Sequence, residues 1–144
     1  MWIFFSGGFV SATIASNQEQ QEQSDPLMQV RGRCEEHVLA FCDAGDVVPR
    51  KIIETPMADY HWRAIMTKSE FVTAMGKISS DIEYGNFKNE ARKQCEQNGV
   101  SLWLERVWMG CLHDIWGVMF GLQERNDRRQ RGVNRFSPWF DKGE

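Results

Sequence analysis

The chain has 144 residues, 42 % hydrophobic and 26 % charged, with a formal net charge of −3, the size and balance of one globular domain. An acidic balance argues against a general binder of polymeric nucleic acid, which needs a basic surface. The longest apolar stretch, Val107 to Leu122, is split by His113 and Asp114, so no membrane span is expected.

Met1 to Ser16 is apolar and ends in small residues, as a signal peptide does, but it lacks a positive leading region and Gly7-Gly8 interrupts it. A hairpin fits better: strands over Trp2 to Phe5 and Phe9 to Ile14, joined by glycines that tolerate positive φ. Asn17 to Ser24 is polar and reads as a surface loop. Leu27 to Arg33 alternates and predicts a third strand, and Cys34 to Cys42 a short amphipathic helix carrying Val38, Leu39, Phe41 and Cys42. Gly45 and Pro49 mark a loop before a short strand, Lys51 to Glu54, and Thr55-Pro56 a turn. Tyr60 to Met66 is the clearest strand: Tyr60, Trp62, Ala64 and Met66 share one face, His61, Arg63 and Ile65 the other.

Thr67 and Glu70 fit a capping box that opens an amphipathic helix over Ser69 to Ile82. Gly85-Asn86 breaks it, and a second helix runs from Lys88 towards Gln97, stopped by Asn98-Gly99. Ser101 caps the longest helix, predicted to end at Glu124 and apolar on nearly every face. Strands early and helices late predict an α+β fold: an N-terminal antiparallel β-sheet of about five strands, then two or three α-helices, the last one long. One domain is expected over 1–125, with a basic, partly ordered tail over 126–144. Six Trp and nine Phe are a heavy aromatic load, and one sheet can cover only one face of the long helix. The rest predicts a homodimer or higher homo-oligomer.

Catalytic motifs are missing: there is no G-x-S-x-G, P-loop, H-E-x-x-H or strand-borne G-x-G-x-x-G. His113 and Asp114 are adjacent on a helix and point about 100° apart, so they form no dyad. The four cysteines (Cys34, Cys42, Cys95, Cys111) contain no C-x-x-C, and His37, His61 and His113 have no ligand spacing, so neither a metal nor a cofactor is expected. Cys34 and Cys111 sit among apolar neighbours and read as small hydrophobes in a reduced chain. Cys95 lies among Arg92, Lys93 and Glu96 and reads as a candidate for exposure.

Binding has better material. Arg63 sits mid-strand among apolar residues, where a guanidinium needs a partner. Tyr84 to Lys88 sets aromatic, amide (Asn86) and cationic groups, with Phe87, on a break between helices. Arg125 and Arg129 stand at i, i+4 and can grip one phosphate, in a run of five arginines (Arg125, Arg128, Arg129, Arg131, Arg135) against one acid, Asp127. Each has a bland alternative: Arg63 pairing with Glu54, Phe87 in the core, the arginines complementing a helix C-terminus.

The segments MWIF…GFVS, VRGR (Val30 to Arg33), ETPMADYHWR (Glu54 to Arg63), IEYGNFK (Ile82 to Lys88) and IWGVMFGLQ (Ile115 to Gln123) resemble those of the Thoeris anti-defence family of the first type, across about residues 1–125. Members of that family are phage sponges that sequester the cyclic ADP-ribose isomer made by a TIR-domain enzyme, and some take cyclic oligonucleotides. The resemblance implies a sheet followed by long helices, dimers or dimer-built hexamers, and no catalysis, in the host cytoplasm during infection. It also implies that Arg63 contacts phosphate, Phe87 stacks on adenine, and Arg125 and Arg129 close the pocket. This chain carries an insertion between Phe87 and Trp116, which leaves Asn98 as the expected pocket amide, and its Arg-rich tail is longer than the family's. The competing expectation is a phage inhibitor that binds a host defence protein through an aromatic surface. A weak hydrolase and a structural phage protein come behind it.

Overall fold

Alternation of apolar residues in the first half of the chain produces an antiparallel sheet, and helical spacing in the second half produces helices. The structure is a computed structural model that describes residues 1–16 and 24–136, with side chains described as far as Arg129. Most of the Asn17 to Ser24 loop, the side chains of Arg131 and Arg135, and the Pro138, Trp139 and Phe140 end of the tail lie outside the described residues. The elements run β1 (Trp2–Phe5), β2 (Gly8–Ile14), β3 (Leu27–Gly32), α1 (Glu35–Ala44), β4 (Lys51–Glu54), β5 (Trp62–Thr67), α2 (Lys68–Ser80), α3 (Phe87–Gln97) and α4 (Leu102–Phe136). The fold is α+β, as the order of strand and helix patterns predicts.

The five strands pair antiparallel in the order β1-β2-β3-β5-β4. After β3 the chain crosses through α1 to the far edge, forms β4, and returns as β5 into the gap between β3 and β4. Val10, Ala12, Val30, Ala64 and Met66 line one face and are buried under Val38, Phe41 and Cys42 of α1 and Phe71 and Ala74 of α2. Removal of these side chains from water, at about 25 cal/mol per Å² of apolar surface, drives the assembly.

Two local devices set the geometry. The Thr67–Glu70 capping box is present: Thr67 Oγ1 accepts from the Glu70 amide at 3.1 Å, and Glu70 Oε2 accepts from the Thr67 amide at 2.6 Å. It turns β5 directly into α2. Gly8 ends the hairpin turn with φ 153°, and a Cβ there would meet the His37 ring at 2.5 Å. Backbone strain and collision act together at this position, so Gly8→Ala is expected to lower stability by about 2–4 kcal/mol, read as a fall in the urea midpoint.

The chain divides into two compact units, Met1–Glu105 and Arg106–Glu144. The last helix differs from expectation, continuing past Glu124 to Phe136. Nothing between Arg125 and Arg135 breaks a helix except Gly132, and Glu124 bonds Arg128 one turn on at 3.6 Å. Ser101 caps its start, accepting from the Leu104 amide at 3.3 Å. On its second-unit stretch Trp116, Val118, Met119, Phe120 and Leu122 are all exposed, and Trp116 stacks on Phe120 with ring centroids 5.2 Å apart. No helix among the described residues is long and apolar enough to cross a membrane.

Candidate functional site

The sheet face opposite α1 and α2 carries an unusual row of side chains. Register aligns Trp2, Ser11, Arg31, Arg63 and Ile53 across all five strands, and directly opposed residues share a face. Two arginines therefore stand side by side on neighbouring strands in the middle of the sheet. Arg31 is held from both sides: its Nη2 donates to Ser11 Oγ at 2.9 Å, and its guanidinium lies 4.9 Å from the centre of the Tyr60 ring. Arg33 approaches the same ring at 5.1 Å and donates to the Asp59 carbonyl at 3.0 Å. Tyr60 precedes β5, so strand geometry does not restrict it, and it lies across these cations.

Among the described residues no carboxylate completes the cluster. The ion pairs among the described residues (Lys77 with Asp46, Arg92 with Glu105, Lys93 with Glu90, Arg128 with Glu124) leave Arg31, Arg33 and Arg63 out. Glu54, the expected partner of Arg63, pairs in register with Trp62 one residue away. The Nε atoms of Arg31 and Arg63 and Thr13 Oγ1 are buried without a hydrogen-bond partner among the described residues. Three such atoms on one face mark a place where an outside group is to be expected, because buried polar atoms are otherwise nearly always satisfied. Beside them, at the β1 edge, Phe4 and Phe9 stack at 4.5 Å and Trp2 meets Phe9 edge-on at 6.0 Å. Trp2 and Phe4 are exposed.

The other expected site residues belong to α3 and α4. Asn86 is the N-cap of α3, its side chain accepting from the Asn89 amide at 3.0 Å. Phe87 follows it, half-buried, its ring 6.4 Å from that of Tyr84. Asn98 is the exposed C-cap of the same helix. The eleven residues of α3 between them put it about 18 Å from Asn86, so the two amides do not share a small pocket within one protomer. Arg125 and Arg129 belong to the second unit and are exposed one turn apart on α4. Sequence reasoning missed Arg31, Arg33, Tyr60, Ser11 and Thr13. The signal available was the outward parity of Arg31 and Arg33 in the alternating Leu27 to Arg33 segment.

Two cysteine readings are corrected. Cys95 is buried, beside Ala91 on the inner face of α3, and burial raises its thiol pKa, helped by Glu105 and Glu96. Cys111, read as a small hydrophobe, is exposed. Burial also lowers the pKa of His37 from its ordinary 6.5, while the Glu36 carboxylate and a hydrogen bond with the Phe9 backbone oppose the shift. The unfolded chain therefore takes up this proton at a higher pH than the folded one does. The stability from neutral His37 is complete above pH 6.5 and is lost as pH falls from there through the lower folded value. Urea midpoints at about pH 7.5 and about pH 5.5 should show the loss, and His37→Gln should shrink the difference. Compared with known protein families, with curated proteins and with solved structures, the chain matches none.

Proposed function

We propose that the chain binds and sequesters an anionic, nucleotide-type immune signal without altering it. A cyclic ADP-ribose isomer is the first choice, and cyclic oligonucleotides are a related class. The observation that carries this reading is the opposed Arg31–Arg63 pair, with buried Nε donors and no carboxylate partner among the described residues. Two forked cations set one strand spacing apart match the oxygens of a phosphate or diphosphate. Neighbouring rings suit a base. The resemblance to the Thoeris anti-defence family of the first type supports the same ligand class and adds Phe87 as a further contact. On this reading the protein is a phage product acting in the host cytoplasm, and the exposed apolar length of α4 meets a second copy of the chain.

That same length of α4 is the specific observation behind a second reading, an inhibitor that binds a host defence protein directly. Native mass spectrometry and calorimetry with cyclic ADP-ribose isomers separate the two. Sequestration predicts a saturable complex, weakened about tenfold or more by Arg31→Ala or Arg63→Ala, with the ligand recovered intact after heating. Ligand recovered in altered form would overturn it, as would indifference to every nucleotide together with a stoichiometric protein partner.

A further inference from the structure

Cys34 is the N-cap of α1, with φ −120° and ψ 151°, yet its side chain makes no capping hydrogen bond. Its Sγ lies instead 3.8 Å from Nδ1 of His37, three residues on. That separation is within reach of a weak S–H···N hydrogen bond. His37 is itself 9 % exposed and hydrogen-bonded with the Phe9 backbone. Its ring rests on the Gly8 backbone, where even a methyl group would not fit. The imidazole is thus a fixed base, oriented by a third group and aimed at a half-buried thiol, which is the arrangement that activates a nucleophile. The N-terminal end of a ten-residue helix favours the thiolate, while the Glu35 and Glu36 carboxylates in its first turn oppose it.

We propose that Cys34 and His37 form a reactive thiol–imidazole pair, a modification site for small electrophiles of the peroxide class. In the step, His37 Nδ1 takes the thiol proton and the sulfur attacks one peroxide oxygen. The S–O bond forms as the O–O bond breaks. Sulfur is oxidised by two electrons to the sulfenic acid, and the departing oxygen takes the proton from His37 and leaves as water or an alcohol. The reactivity of the pair rests on the Cys34–His37 contact and not on what the arginine row binds.

The four cysteines make the test self-controlled. The reduced full-length protein is treated with hydrogen peroxide and dimedone, and in parallel with iodoacetamide, and each cysteine is followed by peptide mass spectrometry. Cys34 is expected to react faster than glutathione, a freely exposed thiol, despite being half-buried. His37→Gln is expected to slow it about tenfold while Cys42, fully in the core with its thiol pKa raised to about 11, stays protected. Cys34 reacting more slowly than glutathione in the wild-type protein would overturn the proposal. So would an unchanged rate in His37→Gln with Cys42 still protected. If Cys42 opens in the variant, folding has been lost, and the wild-type comparison with glutathione decides alone.

Discussion

Arg63→Met is expected to stabilise the unliganded protein and to weaken its hold on an anion at the same time. Arg63 stands opposite Arg31 in register, and like charges directly opposed on adjacent strands destabilise a sheet. Solvent screens part of that repulsion, since both side chains are half-buried. A buried Nε without a partner among the described residues adds to the penalty. Methionine keeps the apolar stem that packs on the sheet and removes both unfavourable contributions. A gain of about 1 kcal/mol, several degrees in the thermal midpoint, is expected, together with at least a tenfold loss of affinity for a cyclic ADP-ribose isomer. Arg31→Met should behave differently: Arg31 already holds Ser11 and lies against Tyr60, so its loss leaves stability unchanged or lower. A lower midpoint for Arg63→Met would mean that Arg63 has a structural role, and the binding reading would lose its main support. A residue that strains the empty protein and is relieved by ligand is the pattern expected where function opposes stability.

The contrast between these two arginines was only half legible in the sequence. Alternation over Tyr60 to Met66 assigned the two faces of β5 correctly, with Ala64 and Met66 inward and Arg63 and Ile65 outward, although the strand itself begins at Trp62. The parity of β3 likewise puts Arg31 outward. Their adjacency depends on β5 entering the sheet between β3 and β4, a long-range choice that no local pattern carries. Cys95 shows the same limit at helical scale. Its charged neighbours Arg92, Lys93 and Glu96 made it look exposed, but on α3 it lies one turn from Ala91 and two from Phe87, on the buried side. Caps and stops were fully local and therefore readable: Thr67 with Glu70, Ser101, and Gly99 at φ 64° after α3. The end of α4 was not, because a polar, arginine-rich segment without a breaker reads equally well as helix or as solvated tail.

The largest loss of stability from one substitution is expected at Phe41. Its ring is fully buried on α1, with the Phe5 ring edge-on at 5.9 Å and the Phe71 ring nearly parallel at 5.9 Å. One side chain thus joins β1, α1 and α2. Phe41→Ala empties the centre of this cluster, and the cost depends on whether the walls can close. Here they are held apart. Gly45, at the end of α1, already touches Ala74 of α2 so closely that even a Cβ would collide, so the two helices cannot approach to fill the void. The loss should lie at the upper end of the range for such truncations, about 4–5 kcal/mol, against a total of about 5–15 kcal/mol for a domain. The variant should melt far below the wild type or fail to fold. Phe41→Leu, which keeps most of the volume, should cost much less and preserve the sheet. Phe4→Ala removes a ring of the same size from the outer face, where it is 41 % exposed, and should cost about 1 kcal/mol or less. If Phe41→Ala and Phe4→Ala shift the urea midpoint equally, the first helix is not the keystone of this core, and the close approach at Gly45 has no energetic consequence.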